Sequence, residues 1–339
     1  MGHDIQTENS PGKQDRFRVH AWQRDERNPI LPPGPSPFDV SSCMNPYALR
    51  VGDEYYLFYA GGNAAGERHI CLAICPVNDV GAWRRLGPVL DLGVKGSFDA
   101  HWCVLPCVHR VGEKWHLYFT GRNPELGVGL QEFTGIGLAV SDDLLHWKRV
   151  SDEPVLRGVG FAQWPDNRGI AGGGRMLTLC DEEGRTFYRM YYTLATGTPS
   201  KDLLVDQAKT AVRADSYDGI SWFNKQVVLS PRLDADYENA ATIALNIWQT
   251  DSGWRAIYAG IGSRFGAYSI CEAESADGVT WNRGEPGENL SLRPQGDGWE
   301  SEMTEYPNVI EENGRLRLFY CGNGYGRTGI GTALADKLS

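Results

Sequence analysis

The sequence predicts an all-β chain: a single five-bladed β-propeller of four-stranded antiparallel blades, its ring closed by the N-terminal strand joining the last blade. Three observations predict it. A two-strand hairpin recurs along the chain, a Trp and a Leu recur behind each hairpin, and the strand missing from the last unit is found at the N-terminus. Internal repeats of this length are the signature of stacked or circular architectures.

The hairpin is the clearest element. Phe38 to Gly62 (FDVSSCMNPYALRVGDEYYLFYAGG) lies over Phe98 to Arg122 (FDAHWCVLPCVHRVGEKWHLYFTGR) without a gap, at an offset of 60 and with nine identities in 25 positions. The segments from Tyr237 (YENAATIALNIWQTDSGWRAIYAG) and Trp299 (WESEMTEYPNVIEENGRLRLFYCGN) follow the same plan at offsets of 199 and 261. Each copy has an apolar strand, a turn with Gly52, Gly112, Gly253 or Asn313-Gly314, and an aromatic-rich strand. Short strands bounded by such turns are the hairpin signal.

Two more strands follow each hairpin. A run of small apolar residues leads to an acidic turn, then to Trp83, Trp147, Trp222 or Trp281, and seven to nine residues later to Leu90, Leu156, Leu229 or Leu290. The last unit ends after its third strand, IGTALADKLS, while Trp22 and Leu31 near the N-terminus have the same nine-residue spacing. The N-terminal segment therefore completes the last blade, and such closure removes exposed sheet edges. The third blade, about residues 161 to 232, is the least regular. Residues 1–15 read as a disordered tail and 16–339 as one domain.

Composition narrows the function. The net charge is −10 and the pI about 5.3. Nucleic acid is excluded as a partner because phosphate binding needs clustered Lys and Arg, and anionic membrane surfaces are disfavoured for the same reason. The polar N-terminus is no signal peptide, and no run of about 18 apolar residues predicts a membrane span. A bacterial cytoplasmic protein is expected, with its eight Cys reduced and mostly packed. Zinc-ligand spacing is absent.

The candidate site follows from the ring. An aromatic-acid pair precedes the first strand in four blades: Phe38-Asp39, Phe98-Asp99, Tyr237-Glu238 and Trp299-Glu300. If these residues face one mouth, carboxylates from distant positions converge there. Two carboxylates flanking a bond are what glycoside cleavage uses, crowding of like charge keeps one of them protonated, and aromatics such as Phe38 and Trp102 suit the apolar face of a sugar. His101, Asp166, Arg168, Glu300, Glu305 and Arg327 are further candidates to bind substrate. Arg327 could contact a carboxylate or phosphate. No spacing demands a metal or cofactor, although a carboxylate-rich funnel offers the oxygen ligands that Ca²⁺ takes.

With the opening NPILPPG and strands such as LFYAGG and SDDLLHW, the chain resembles the five-bladed propeller glycosidases, glycoside hydrolase families 43, 62, 32, 68, 117 and 130, from about Phe17 to Asp336. The resemblance implies a glycosidase, family 43-like and inverting, on a small or terminal sugar unit. It makes Asp39 the general base and Asp99 the residue that tunes the acid. The third-blade Glu of family 43 is absent: Ala171-Gly172-Gly173-Gly174 stands there, with Asp166 the nearest acid. Glu238 then becomes the expected acid, with Glu300 and Glu305 behind it, and His101 an acid or sugar ligand as in family 117. A family 130-like phosphorylase and a non-catalytic carbohydrate-binding propeller are the alternatives.

Overall fold

Turn chemistry sets the hairpins. Gly52, Gly112, Asn313 and Gly314 hold φ of 61°, 57°, 48° and 79°, the left-handed backbone that tight hairpin turns require. The computed structural model describes residues 17–164, 166–167, 169–172, 174–196 and 209–338. The expected tail, residues 1–15, lies outside the described residues.

The chain is all-β, with three very short helical turns among the described residues. After Gln23–Arg24 (β1), the first group holds Ser42–Val51 (β2), Glu54–Gly62 (β3), Arg68–Pro76 (β4) and Arg84–Leu90 (β5). The second holds Trp102–Val111 (β6), Lys114–Arg122 (β7), Gly135–Ser141 (β8) and Lys148–Arg149 (β9). In the third, Ile170–Ala171 (β10) and Met176–Cys180 (β11) share the first position, followed by Thr186–Ala195 (β12), Lys209–Ser216 (β13) and Phe223–Leu229 (β14). The fourth holds Ala241–Thr250 (β15), Gly253–Ile261 (β16), Tyr268–Ser275 (β17) and Leu290–Leu292 (β18), and the fifth Glu305–Glu312 (β19), Arg315–Cys321 (β20) and Ile330–Asp336 (β21). Consecutive strands within a group pair antiparallel, and β1 pairs with β21, Gln23 opposite Leu334 and Arg24 opposite Ala333. An isolated bridge joins Leu31 to Ile330.

The aromatic second strands carry the core. Tyr55, Phe58 and Tyr59 of β3, Tyr118 and Phe119 of β7, Tyr191 and Tyr192 of β12, Tyr258 of β16, and Phe319 and Tyr320 of β20 are fully buried. Each such side chain contributes roughly 1.5–3 kcal/mol by leaving water. The acidic turns before the recurring Trp residues are local braces. In three of them a Ser hydroxyl and an Asp carboxylate two residues on accept backbone N–H groups, Ser141 and Asp143, Ser216 and Asp218, Ser275 and Asp277, while before Trp83 Asp79 alone accepts, from Gly81.

The first strands share a bulge. Asn45, Leu105, Ala244 and Tyr306 occupy equivalent positions with φ of 55°, 56°, 54° and 52°, and the pairing register shifts at each. Left-handed backbone at a residue other than Gly costs on the order of 1–3 kcal/mol and persists where surroundings impose it. Here those surroundings include side chains of the neighbouring group, which accept backbone N–H groups at or near the bulge. Asn45 accepts from Leu105, Thr120 from Gly172, Thr193 from Ala244, Asn246 from Val309, and Asn308 from Ala48. The bonds pass from each group to the next, and the last returns from the fifth group to the first. In the third group the same region is the glycine run that separates β10 from β11.

Candidate functional site: a cation-lined funnel

The aromatic-acid pairs do not meet in a common mouth, which corrects the sequence expectation. Each carboxylate is buried inside its own group, where an Arg from the outer part of that group reaches it. Asp39, fully buried, accepts from the Tyr59 hydroxyl at 2.8 Å and from Arg85. Asp99 accepts from Arg149 Nε and Nη2 at 3.0 and 2.8 Å and from the Ser97 hydroxyl at 2.8 Å. Glu238 accepts from the Tyr258 hydroxyl at 2.5 Å, Asn289 at 3.2 Å and Arg283 at 3.3 Å. Glu300 accepts from the Tyr320 hydroxyl at 2.9 Å and pairs with Arg24 at 2.8 Å. Arg24 comes from β1, so the N-terminal strand supplies to the fifth group what Arg85, Arg149 and Arg283 supply to theirs. A carboxylate held by an Arg and a hydroxyl and shut away from solvent acts as a structural clamp, although at Asp39 both contacts fall on Oδ2 and Oδ1 has no hydrogen-bond partner among the described residues. The clamp has a sequence signal that the expectation missed: Trp-x-Arg at Trp22-Arg24, Trp83-Arg85, Trp147-Arg149 and Trp281-Arg283. The third group has Trp222-Asn224 there and no acid to hold.

The space at the entrance of the first strands is a cavity of about 370 Å³. Residues at or next to the four bulges line it, including Met44, Asn45, Val104, Leu105, Ile243, Ala244 and Tyr306. Its polar wall is basic: Arg68, Arg122 and Lys209 line it beside a single carboxylate, Glu132, which pairs with Arg122. Strand register brings the two arginines together. Trp102 pairs with Arg68 across a parallel bridge and with Arg122 across the antiparallel ladder. The guanidinium carbons sit 3.8 and 4.0 Å from its ring centroid. Trp102 therefore lines the cavity with a cation from each neighbouring strand over its ring rather than as an open stacking face. Arg68 and Lys209 hold the same repeat position, the first residue of the third strand. Burial lowers the proton affinity of both, and Arg122 lowers that of Arg68 further.

Glu305 is the anomaly beside this cavity, next in the chain to the lining residue Tyr306 but not itself part of the lining. It opens β19 in the repeat position that Met44, Val104 and Ile243 hold in other groups, immediately before the left-handed residue. Its side chain is fully buried, and among the described residues neither carboxylate oxygen has a hydrogen-bond partner. It interacts electrostatically with Lys209, Tyr306 and Tyr325, all of which line the cavity. Burial pushes its pKa well above the usual Glu value, with Lys209 opposing. Lys209 donates instead to the Tyr268 hydroxyl at 2.7 Å.

The remaining candidates scatter. His101 is half-buried against Trp102, ring centroids 5.9 Å apart, and burial together with Arg122 lowers its pKa. It borders the basic wall without lining the cavity. Phe38 packs over Gly87 in its own group, so it offers no face to the funnel. Asp166 and Arg327 are exposed and away from the cavity lining. Arg168 lies outside the described residues. No cluster of three or more His, Cys, Asp or Glu suited to a metal occurs among the described residues. A wider cleft of about 970 Å³ lies by the N-terminal segment, but its His20, Arg255, Glu274, Glu311 and Lys337 all have ion-pair partners.

No family model matches the chain. The uncharacterized protein Rv1502 of Mycobacterium tuberculosis is 29% identical over 251 residues, 74% of this chain and 77% of that protein. Among solved structures, a glycoside hydrolase superposes with a TM-score of 0.67 at 18% identity, covering 96% of this chain and 93% of the other. A structure from work on mannoside phosphorylases and hydrolases of the GH130 family, which target β-1,2 mannosidic linkages in Candida mannan, gives 0.67 at 16% identity over 94% and 95%. The catalytic domain of the Coprinopsis cinerea GH62 α-L-arabinofuranosidase gives 0.65 at 12% over 94% and 97%. The chain thus has the fold of the propeller-type glycoside hydrolases.

Proposed function

We propose that the chain is a closed five-bladed propeller, its groups being the blades, that cleaves a glycosidic bond in the funnel, with Glu305 protonating the leaving oxygen. One observation carries this reading. Glu305 is a buried carboxyl with both oxygens unpartnered and its pKa raised by burial, adjacent in the chain to the lining residue Tyr306 and at a repeat position that is otherwise apolar. A general acid has to keep its proton until the leaving oxygen develops charge, and an apolar burial site does that. The shared fold supports the reaction class, and Glu132 is the other carboxylate available, as base for an attacking water. This assignment replaces Asp39, Asp99 and Glu238.

Phosphorolysis is the second reading. It is favoured by Arg68, Arg122 and Lys209 sharing a cavity lined by one carboxylate, Glu132, since phosphate as nucleophile needs cations rather than a base. A screen of nitrophenyl glycosides and mannobioses, with and without inorganic phosphate, tests both. Cleavage that Glu305→Gln removes supports the assignment, and phosphate dependence selects phosphorolysis. Cleavage undiminished in Glu305→Gln overturns it.

A further inference from the structure

We propose that the funnel selects a substrate that itself carries an anionic group on a partly apolar body, the anion seated between Arg68, Arg122 and Lys209. The class is an acidic glycoside: a uronide, or a sugar bearing a phosphate or sulfate ester. This deepens the reading of the funnel as a glycoside site.

Arg68 carries the argument. Among the described residues its guanidinium has no carboxylate partner, and its Nε donates to the Met44 sulfur at 3.1 Å. It is half-buried and lies over the Trp102 ring, whose centroid is also 4.0 Å from the Arg122 guanidinium. Lys209, on the third group's side of the cavity, likewise has no carboxylate within ion-pair distance and rests on the Tyr268 hydroxyl. Glu132 neutralises one of the three cations, through Arg122. A partly buried surplus of positive charge in a chain of net charge −10 is stable only at a cost, and a bound anion offsets it through charge-assisted bonds.

The rest of the lining argues for an anion that is attached to something. Val104, Leu105, Ile170 and Ile243 face the same space. They give nothing to the hydration shell of a free inorganic ion, and they suit the apolar face of a ring or an aglycone. A neutral sugar would fill the apolar part and leave Arg68 and Lys209 unanswered.

The test uses matched ligand pairs on the full chain carrying Glu305→Gln, so that binding is read without turnover. Glucoside and glucuronide, galactoside and galacturonide (all as nitrophenyl glycosides), and mannose and mannose 1-phosphate are titrated by calorimetry, with inorganic phosphate and sulfate alone as controls. The expected result is that the charged member of at least one pair binds tenfold or more tightly. That preference shrinks as salt rises toward about 1 M, where exposed charges are screened, and Arg68→Met removes it while neutral binding persists. If that variant does not fold, the salt dependence and the pairs decide alone. Equal affinity within every pair overturns the proposal. So does inorganic phosphate that binds as tightly as the best charged glycoside, since the anion is then a free co-substrate. Because the pairs report binding, a chain that binds acidic glycosides without the parent enzyme cleaving any would sink the catalytic reading and leave this one standing.

Discussion

Two sets of carboxylates stand at the entrances of the first strands, and their surroundings are opposite. Asp39, Asp99, Glu238 and Glu300 recur from group to group, each tied to an Arg and a hydroxyl. Glu305 occurs once, at a position otherwise apolar, and its oxygens are tied to nothing. The difference teaches that in a repeat architecture recurrence marks the scaffold. Four groups fasten their outer part to the approach of their first strand with this clamp, and the third does without it. On the proposed reading chemistry is needed once, and Glu305 is where the pattern breaks.

The largest effect should separate the two sets directly. Glu305→Gln should lower glycoside cleavage by roughly 10²–10⁴, the range for loss of a general acid, with the circular dichroism spectrum and melting temperature preserved. Asp39→Asn should leave cleavage by the folded fraction intact. If Asp39→Asn silences a well-folded protein and Glu305→Gln does not, the comparison is inverted.

The scaffold half is tested by stability. Arg85→Ala leaves Asp39 charged and buried, and uncompensated buried charges cost about 3–5 kcal/mol. Denaturant titration should show this loss, and Arg149→Ala should match it through Asp99. Pairing each with the corresponding Asp→Ala should recover part of the loss, because the orphaned charge goes too. A loss below about 1 kcal/mol would mean that the pairs are ornaments of the surface.

The fold was legible because it is written several times over. Gapless hairpin copies, the Trp-to-Leu spacing and the displaced Trp22 segment each report the same unit, and the Gln23–Leu334 pairing is where the sequence pattern puts it. The same repetition makes Phe38-Asp39 and its copies visible, but recurrence along the chain does not by itself bring their side chains together, and each is bonded within its own group. What the sequence does not display is side-chain direction: a residue three places before a strand can face the axis or fold back into its own sheet, and the Arg two residues beyond each Trp decides which. Glu305 and Lys209 become conspicuous only when each is compared with its equivalents, Met44, Val104 and Ile243 for one, Arg68 and Tyr268 for the other. The bulge that aims these positions is invisible in composition, since Asn45, Leu105, Ala244 and Tyr306 share no side-chain chemistry.

Within the clamps, the hydroxyl is the smaller partner. Tyr59→Phe removes one donor to a charged acceptor and keeps Arg85, so it should cost roughly 1.5–3 kcal/mol. The second group already has Phe119 at the equivalent place and draws its hydroxyl from Ser97 instead. Ser97→Ala should therefore cost a similar amount, measured on the same denaturation curves. A neutral Ser97→Ala would show that Arg149 alone suffices and that the hydroxyls are incidental.

The gentlest probe of the comparison is pH. Burial raises the pKa of Glu305 in the folded chain above its ordinary value of 4.5. At pH values above 4.5 the unfolded chain releases this proton while the folded chain keeps it, so the unfolded state binds fewer protons and stability declines with rising pH across that window. Glu300, also raised by burial, contributes a decline of the same sign to both proteins, so the difference between them isolates position 305, where Gln has no proton to release. Unfolding free energies of the parent and of Glu305→Gln should therefore lie closest near pH 4.5 and diverge toward neutral pH, with the variant the more stable. Parallel curves would mean that Glu305 is ionised in the folded chain, and an ionised Glu305 cannot be the proton donor.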